Sequence, residues 1–215
     1  MRIETERLIV RDVCANDAEA LLKIKYDPQV LRFCPDLICD DATLEDVRRT
    51  IEYFENERAP KDFSREVFYG VELKENGELI GVITVSFLGC LRELQMGWMV
   101  RQEYAGRGYA SEAAKAASDA LLLELNLPFM AVVMDEDNPA SFRTAQKSGF
   151  KLFEKRVPFD YHYSRCNPED PEAVAAVFAK NQAKIGSAYY YFRKYHPADC
   201  GEQYYGDVAY TGRFA

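Results

Sequence analysis

The residues best suited to chemistry lie in one run near the middle of the chain. Met99-Val100-Arg101-Gln102-Glu103-Tyr104-Ala105-Gly106-Arg107-Gly108-Tyr109-Ala110-Ser111-Glu112-Ala113 reads as a strand end, a short glycine-containing loop and a helix start. Such a junction presents several backbone N–H groups at the positive end of a helix dipole, which suits a pyrophosphate. Gly106 and Gly108 carry no Cβ to hold a ligand away from the main chain. Arg101 and Arg107 bring positive charge close by. No Gly-Lys-Ser/Thr follows, so this is not a Walker loop. A dinucleotide fingerprint is also missing, because it needs a third glycine and a later acidic ribose partner. A Gly-x-Gly pair taken alone also serves as a plain turn.

The elements around this junction must hold it in place. The helix after it puts Ala110, Ala113, Ala114, Ala117, Leu121 and Leu125 on one face, small enough to lie close to a sheet. Glu112, Lys115 and Asp119 are expected on its wet side. Upstream, Ile3–Val13 reads as one strand, with Leu8 and Val10 on one face and Arg7, Ile9 and Arg11 on the other. Asn16 is the expected cap of a helix through Tyr26, ended by Asp27-Pro28. Thr43 starts a second helix, with Asp46 in the reciprocal position of a capping box. Val67, Tyr69, Val71 and Leu73 alternate with period two, and Asn76-Gly77 supplies the positive φ angles of a tight hairpin turn. Leu79–Phe87 and Leu91–Val100 complete an antiparallel meander.

After the Tyr109–Leu125 helix come a strand (Phe129–Met134), a helix (Asn138–Ser148) closed by Gly149, and a strand from Phe150. This order predicts a mixed α/β domain around a partly parallel sheet. Residues 158–186 interrupt the pattern with a further helix, begun by Asp170-Pro171-Glu172 and ended by Gly186. That helix is a substrate lid or a dimer contact. Ala188–Tyr195 resumes as a strand. The expected organisation is one domain over residues 1–196, with the insertion at about 158–186, and a tail over 197–215.

Composition narrows the function classes. The 215 residues carry a net charge of −8 without a Lys/Arg cluster, which argues against nucleic acid as a partner. An acidic surface steers basic partners such as amines, or simply keeps a chain in solution. No apolar run reaches the ~20 residues of a membrane helix, and the charged N-terminus has no signal-peptide core. The expectation is a cytoplasmic protein without a membrane partner. Cys14, Cys34, Cys39, Cys90, Cys166 and Cys200, of which only Cys34 and Cys39 lie close together, read as free thiols rather than a disulfide framework. His162 and His196 lie far from the Cys34/Cys39 pair, so no metal site is expected.

Three blocks, in order and spacing, resemble the GNAT N-acetyltransferase superfamily, and within it the ribosomal-protein N-terminal acetyltransferase (RimJ/RimL-like) branch. They are Glu4-Thr5-Glu6-Arg7-Leu8-Ile9-Val10-Arg11; Gln95–Val100 with Tyr104–Ala113; and Asn138-Pro139-Ala140-Ser141-Phe142-Arg143-Thr144-Ala145-Gln146-Lys147-Ser148-Gly149-Phe150. The likeness spans about residues 3–155. It implies a GNAT-like fold, with a central mixed, mostly antiparallel sheet flanked by helices and here an additional C-terminal helical insertion. It also implies acetyl-CoA as acyl donor and an amine as acceptor, in a monomer or homodimer.

By the same resemblance, the backbone of Ala105–Ala110, including Tyr109, cradles the CoA pyrophosphate. Met99 and Val100 pair with the pantetheine arm, a backbone N–H near Met99 serves the oxyanion, and Asn138 and Ser141 lie near the thioester. Ala105 stands where the family usually has Gln or Arg, which predicts weaker but not absent CoA binding. Many members use a Tyr as acid for the leaving thiolate; the matching position is Ala145. Ser141 is the substitute, unless it only satisfies a backbone N–H in its helix's first turn. Glu93, on the strand face it shares with Gln95, is the candidate base; a plain strand-end glutamate or water is the alternative. The many tyrosines after residue 160 are either sheet packing or an aromatic wall for a cationic amine.

These readings converge on direct acetyl transfer to a primary amine, with the α-amine of a protein or peptide in view. The alternatives are an antibiotic, polyamine or amino-acid amine, or a CoA-binding or partner-binding domain without turnover.

Overall fold

The computed structural model describes residues 1–34, 43–57, 59, 62–88, 93–156 and 188–198. The insertion at about 158–186, the tail beyond 198, His162 and Cys39, Cys90, Cys166 and Cys200 lie outside them. Cys14 and Cys34 are free thiols.

The meander is formed by β1 (Arg2–Glu4), β2 (Leu8–Asp12), β3 (Val67–Leu73), β4 (Leu79–Leu88) and β5 (Glu93–Val100). The remaining strands are β6 (Phe129–Asp135), β7 (Lys151–Arg156) and β8 (Tyr189–Tyr195). Together they make one eight-stranded sheet in the order β1-β2-β3-β4-β5-β6-β8-β7. All neighbours run antiparallel except β5 and β6, which are parallel and share the single register pair Gln95↔Ala131. From Met96 onward the two strands part. A cleft opens at that gap.

Helices cover both faces. On one, Ala113, Ala114, Ala117 and Leu121 of α4 (Tyr109–Glu124) and Ala145 of α5 (Pro139–Lys147) pack on Leu8, Val10, Ile83, Met96, Met130 and Phe192. On the other, α1 (Ala18–Lys25), α2 (Pro28–Phe33) and α3 (Leu44–Asn56) pack on Phe68, Val82 and Met99. The alanine face of α4 is as expected. Ser148 Oγ donates to the Ser111 and Thr144 carbonyls at 3.1 and 2.8 Å, tying the end of α5 to the start of α4.

Four local expectations change. The opening strand is two, because Thr5 N–H donates to the Leu8 carbonyl at 2.9 Å and turns the chain back. Leu8 and Val10 still share the buried face. Asn16 does not cap the first helix. A 3-10 turn (Ala15–Asp17) precedes it, and the Asp17 carboxylate accepts from Cys14 N–H at 2.7 Å. Asp27-Pro28 ends α1 but also starts α2: Asp27 Oδ1 accepts from Gln29 N–H at 2.9 Å, and Pro28 fills the first turn. The Asn76-Gly77 turn is wider than a two-residue hairpin. Only Gly77 has positive φ (74°), and Asn76 Oδ1 instead accepts from Glu78 N–H at 3.0 Å. At Thr43 and Asp46 the reciprocal capping box is present.

Carboxylates held by hydrogen bonds and nearby cations set an acid limit on the fold. Burial alone raises the Asp17 carboxyl, but hydrogen bonds from Arg11 and Cys14 outweigh it and hold the group below its ordinary value. Burial likewise opposes, and bonds from Thr5 and Arg7 at Glu112 and from Lys115 and Lys194 at Asp119 outweigh it, so both are lowered. A lowered folded pKa means stability that is complete above the unfolded value and lost as pH falls through the folded one. Thermal melts are therefore expected to be flat from neutral pH to about 5 and to drop below about 4. Asp17→Asn should cost about 2 kcal/mol at neutral pH and reduce the acid slope. An unchanged acid limb would disprove this assignment.

Candidate active site

Where β5 and β6 diverge, a cleft of about 850 Å³ opens to both faces of the sheet. Alternation along a strand explains how one cleft reaches both sides. Met96, Trp98, Val132 and Met134 line it from the α4/α5 face, while Gln95, Gly97, Val133 and Asp135 line it from the α1–α3 face.

The glycine loop forms one wall. A 3-10 turn (Gln102–Tyr104) is pinned by Asp27 Oδ2, which accepts from Gln102 N–H at 2.8 Å. Gly106 and Gly108 then take φ of 77° and 83°, in the left-handed region, and α4 begins at Tyr109. Ala105, Gly106, Gly108, Tyr109 and Ala110 all line the cleft. A Cβ built on Gly106 would meet nothing within 4 Å, so the backbone there stands open. This is the exposed main chain at a helix N-terminus that a phosphate needs. The residues present fit a pyrophosphate-bearing cofactor.

Two expected cations do not reach that wall. Arg101 Nη1 donates to Glu78 at 2.8 Å and its Nη2 to Glu103, and Arg101 is not a lining residue. Its charge is spent on carboxylates from the β3–β4 turn and the neighbouring 3-10 turn. The exposed Arg107 side chain lies 5.7 Å from the Tyr104 ring and also stays outside the lining. Positive charge comes instead from Arg143 and Lys147, one turn apart on α5, which do line the cleft. They lie inside the third sequence block, and their spacing of four on an exposed helix face was the available signal.

The far wall is the N-terminus of α5. Asn138 caps it, its Oδ1 accepting from Ser141 N–H at 3.0 Å. The Ser141 hydroxyl is therefore not occupied with that amide. It accepts from the Trp98 indole N–H at 3.3 Å, across the gap from β5. Ala145 is fully buried in the core and faces away from the cleft. Met99 and Val100 line the cleft on the stretch of β5 that no longer has β6 beside it.

Glu93 shares the Gln95 face, as read from the alternation, but sits one pair short of the opening and does not line it. Arg193 Nη2 donates to Glu93 Oε1 at 2.6 Å. The guanidinium is fully buried, with its carbon 3.9, 4.2 and 5.3 Å from the rings of Phe153, Phe129 and Tyr191. A carboxylate held by a buried cation is poorly disposed to take a proton from a substrate. Among the described lining residues, the carboxylates are Glu66 and Asp135. Asp135 ends β6 at the gap, where its Oδ1 accepts from Asp137 N–H at 2.9 Å. An acidic residue closing a strand just before an Asn-Pro helix start is the signal that would have found it.

A parted sheet with open backbone at a helix N-terminus on one face and a second approach from the other is a plan that suits a group-transfer enzyme with donor and acceptor on opposite sides. The chain belongs to the GNAT acetyltransferase family: the family model described as Acetyltransferase (GNAT) domain matches residues 7–151. It is similar to two Bacillus subtilis (strain 168) proteins described as uncharacterized N-acetyltransferases. YnaD is 27% identical over 162 residues, 74% of this chain and 89% of that protein. YoaA is 27% identical over 176 residues, 81% of this chain and 96% of that protein. The fold is shared with a Bacillus anthracis GNAT-family acetyltransferase, at TM-score 0.62 and 23% identity, covering 91% of this chain and 98% of that one. It is shared too with RimL, a ribosomal-protein α-N-acetyltransferase solved with coenzyme A, at TM-score 0.64 and 13% identity, covering 93% and 100%. Among the described residues no helix is long and apolar enough to cross a membrane.

Proposed function

We propose that this chain moves an acetyl group from acetyl-CoA directly to the α-amine of a peptide or another singly charged primary amine. The observation that carries the proposal is a cleft open to both sheet faces at the β5–β6 gap. The donor enters from the α4/α5 face. There the Ala105–Ala110 backbone holds the pyrophosphate, Arg143 and Lys147 add charge, and the Met99–Val100 edge aligns the pantetheine arm. Acetyl-CoA supplies an activated acyl group on a thiol leaving group.

On the donor face, Asn138 fixes the first turn of α5. Ser141 gives its proton to the thiolate as the C–S bond breaks and regains one from the nitrogen that has formed the new C–N bond. The acceptor enters from the α1–α3 face. Asp135 holds its ammonium and passes the proton to water, while Glu93 serves to anchor Arg193. Holding both reactants aligned contributes a large share of the rate.

The acceptor class follows from the lining. Phe33, Phe54, Phe68 and Tyr189 border the acceptor half, together with the cations Lys25 and Arg65 and the carboxylate Glu66. Rings accommodate an apolar or peptide body; with Asp135 engaged by the reacting ammonium, Lys25 and Arg65 outnumber Glu66 and disfavour additional positive charges on the acceptor. Coenzyme A thiol release from acetyl-CoA is expected to rise with Ser- and Ala-starting peptides and with monoamines. Spermidine and aminoglycosides should raise it at least ten-fold less. Preferential turnover of the polycations would overturn the acceptor assignment, and failure of every amine with acetyl-CoA bound would overturn the transferase proposal for this chain.

A further inference from the structure

We infer that Arg7, in the turn between β1 and β2, is a positioning residue for the phosphate loop: its guanidinium fixes the Arg107–Gly108 peptide with the Gly108 N–H toward the cleft. The inference rests on the reading of Ala105–Ala110 as the pyrophosphate cradle. Arg7 Nη1 donates to the Arg107 carbonyl at 3.0 Å. Its Nε donates to Glu112 Oε2 at 2.7 Å, and Nη2 lies 2.6 Å from the same oxygen. The guanidinium carbon also lies 4.5 Å from the centre of the Tyr109 ring. One side chain thus grips the last loop carbonyl, the first helical ring and the first-turn carboxylate.

The carbonyl bond sets a direction. In a trans peptide the C=O and N–H point opposite ways. With the Arg107 carbonyl turned out to Arg7, the next N–H, that of Gly108, is turned in. The cleft lining agrees, since it includes Gly108 and not Arg107.

The carboxylate bonds remove an obstacle. Glu112 sits in the first turn of α4, where an unpaired negative charge would repel the phosphate that the helix N-terminus is to attract. It is not on the wet side that the helical period suggests. Its Oε1 accepts from the Thr5 hydroxyl at 2.5 Å and from Arg7 N–H at 3.0 Å, and its Oε2 accepts from the Arg7 guanidinium. Both oxygens are committed to the β1–β2 turn. A role for Thr5-Glu6-Arg7 so far from the loop in sequence is otherwise unaccounted for in the first of the three blocks.

The test compares donors with and without phosphate in the full chain. Wild-type binding of acetyl-CoA is measured first by calorimetry, and its failure would remove the cradle itself rather than the role of Arg7. Given that binding, Arg7→Gln is expected to raise the Kd for acetyl-CoA at least ten-fold. Turnover of S-acetylpantetheine, which has no pyrophosphate, should change less than two-fold. Adding Glu112→Gln to Arg7→Gln should recover at least three-fold in Kd. Should Arg7→Gln not fold, Arg7→Lys carries the same comparison, because it keeps the charge and loses the fork. An unchanged Kd, or an equal loss with S-acetylpantetheine, would overturn the inference.

Discussion

Gly108→Val is expected to raise the Kd for acetyl-CoA at least a hundred-fold while the protein remains folded. Space is not the obstacle, because a Cβ at position 108 would lie 3.5 Å from Arg7 Nη2 and 4.0 Å from Ser111 Oγ. The obstacle is the backbone. At φ of 83° an L-residue costs about 1–2 kcal/mol, and a β-branched one is a genuine outlier. The chain relieves that strain by rotating the peptides on either side of residue 108, which carries the inward N–H out of the cleft. It also disturbs the Gly108 carbonyl that accepts from Glu112 N–H and Ser111 Oγ, each at 3.0 Å. Losing two charge-assisted hydrogen bonds to phosphate removes roughly 3–6 kcal/mol of binding, or about two to four powers of ten in Kd.

Gly77→Val is the matched control. Gly77 has a φ of 74° and nothing within 4 Å of a built Cβ, and it lies in the β3–β4 turn away from the cleft lining. The two variants should lose similar thermal stability, and only the one at 108 should lose acetyl-CoA binding. Equal binding by both would mean that the loop does not hold the phosphate.

The loop was legible because its determinants are local. A strand end, two glycines that must take positive φ and an alanine-faced helix lie within about twenty residues, and each follows a short period or a steric rule. The same holds for the Thr43/Asp46 capping box. The parts that were not legible depend on residues far apart in the chain. Glu112 and Arg7 are separated by 105 positions, and Glu93 and Arg193 by 100. A helical wheel assigns Glu112 to solvent because it counts only neighbours on its own helix. Strand alternation put Glu93 on the right face without showing that β8 would set Arg193 beside it. The place of Asp135 in the cleft depends on where two strands part, which is a property of the β5–β6 register and not of either strand alone. Arg101 shows the same limit, since the carboxylate that neutralises it, Glu78, arrives from another turn.

Ser141→Ala is expected to lower kcat about a hundred-fold with the Kd for acetyl-CoA nearly unchanged, and Trp98→Phe to lower kcat about ten-fold, within the usual range for a lost general acid. The argument is one of donors and acceptors. An indole N–H only donates, so its bond to Ser141 Oγ at 3.3 Å makes that oxygen an acceptor and leaves the hydroxyl proton for another partner. The Asn138 side chain already satisfies the Ser141 amide, so the hydroxyl has no capping duty. Its remaining direction is the cleft. The indole donor also stabilises the oxygen as its proton leaves, which makes the serine a better acid than it would be alone. The two residues then act as a unit, and the double variant should be no slower than Ser141→Ala by itself. A thioester whose thiol is more acidic needs less help in leaving, so with such a donor both single effects should shrink together. Additive losses in the double variant would separate Trp98 from the proton transfer. Full activity in Ser141→Ala would mean that the thiolate takes its proton from water.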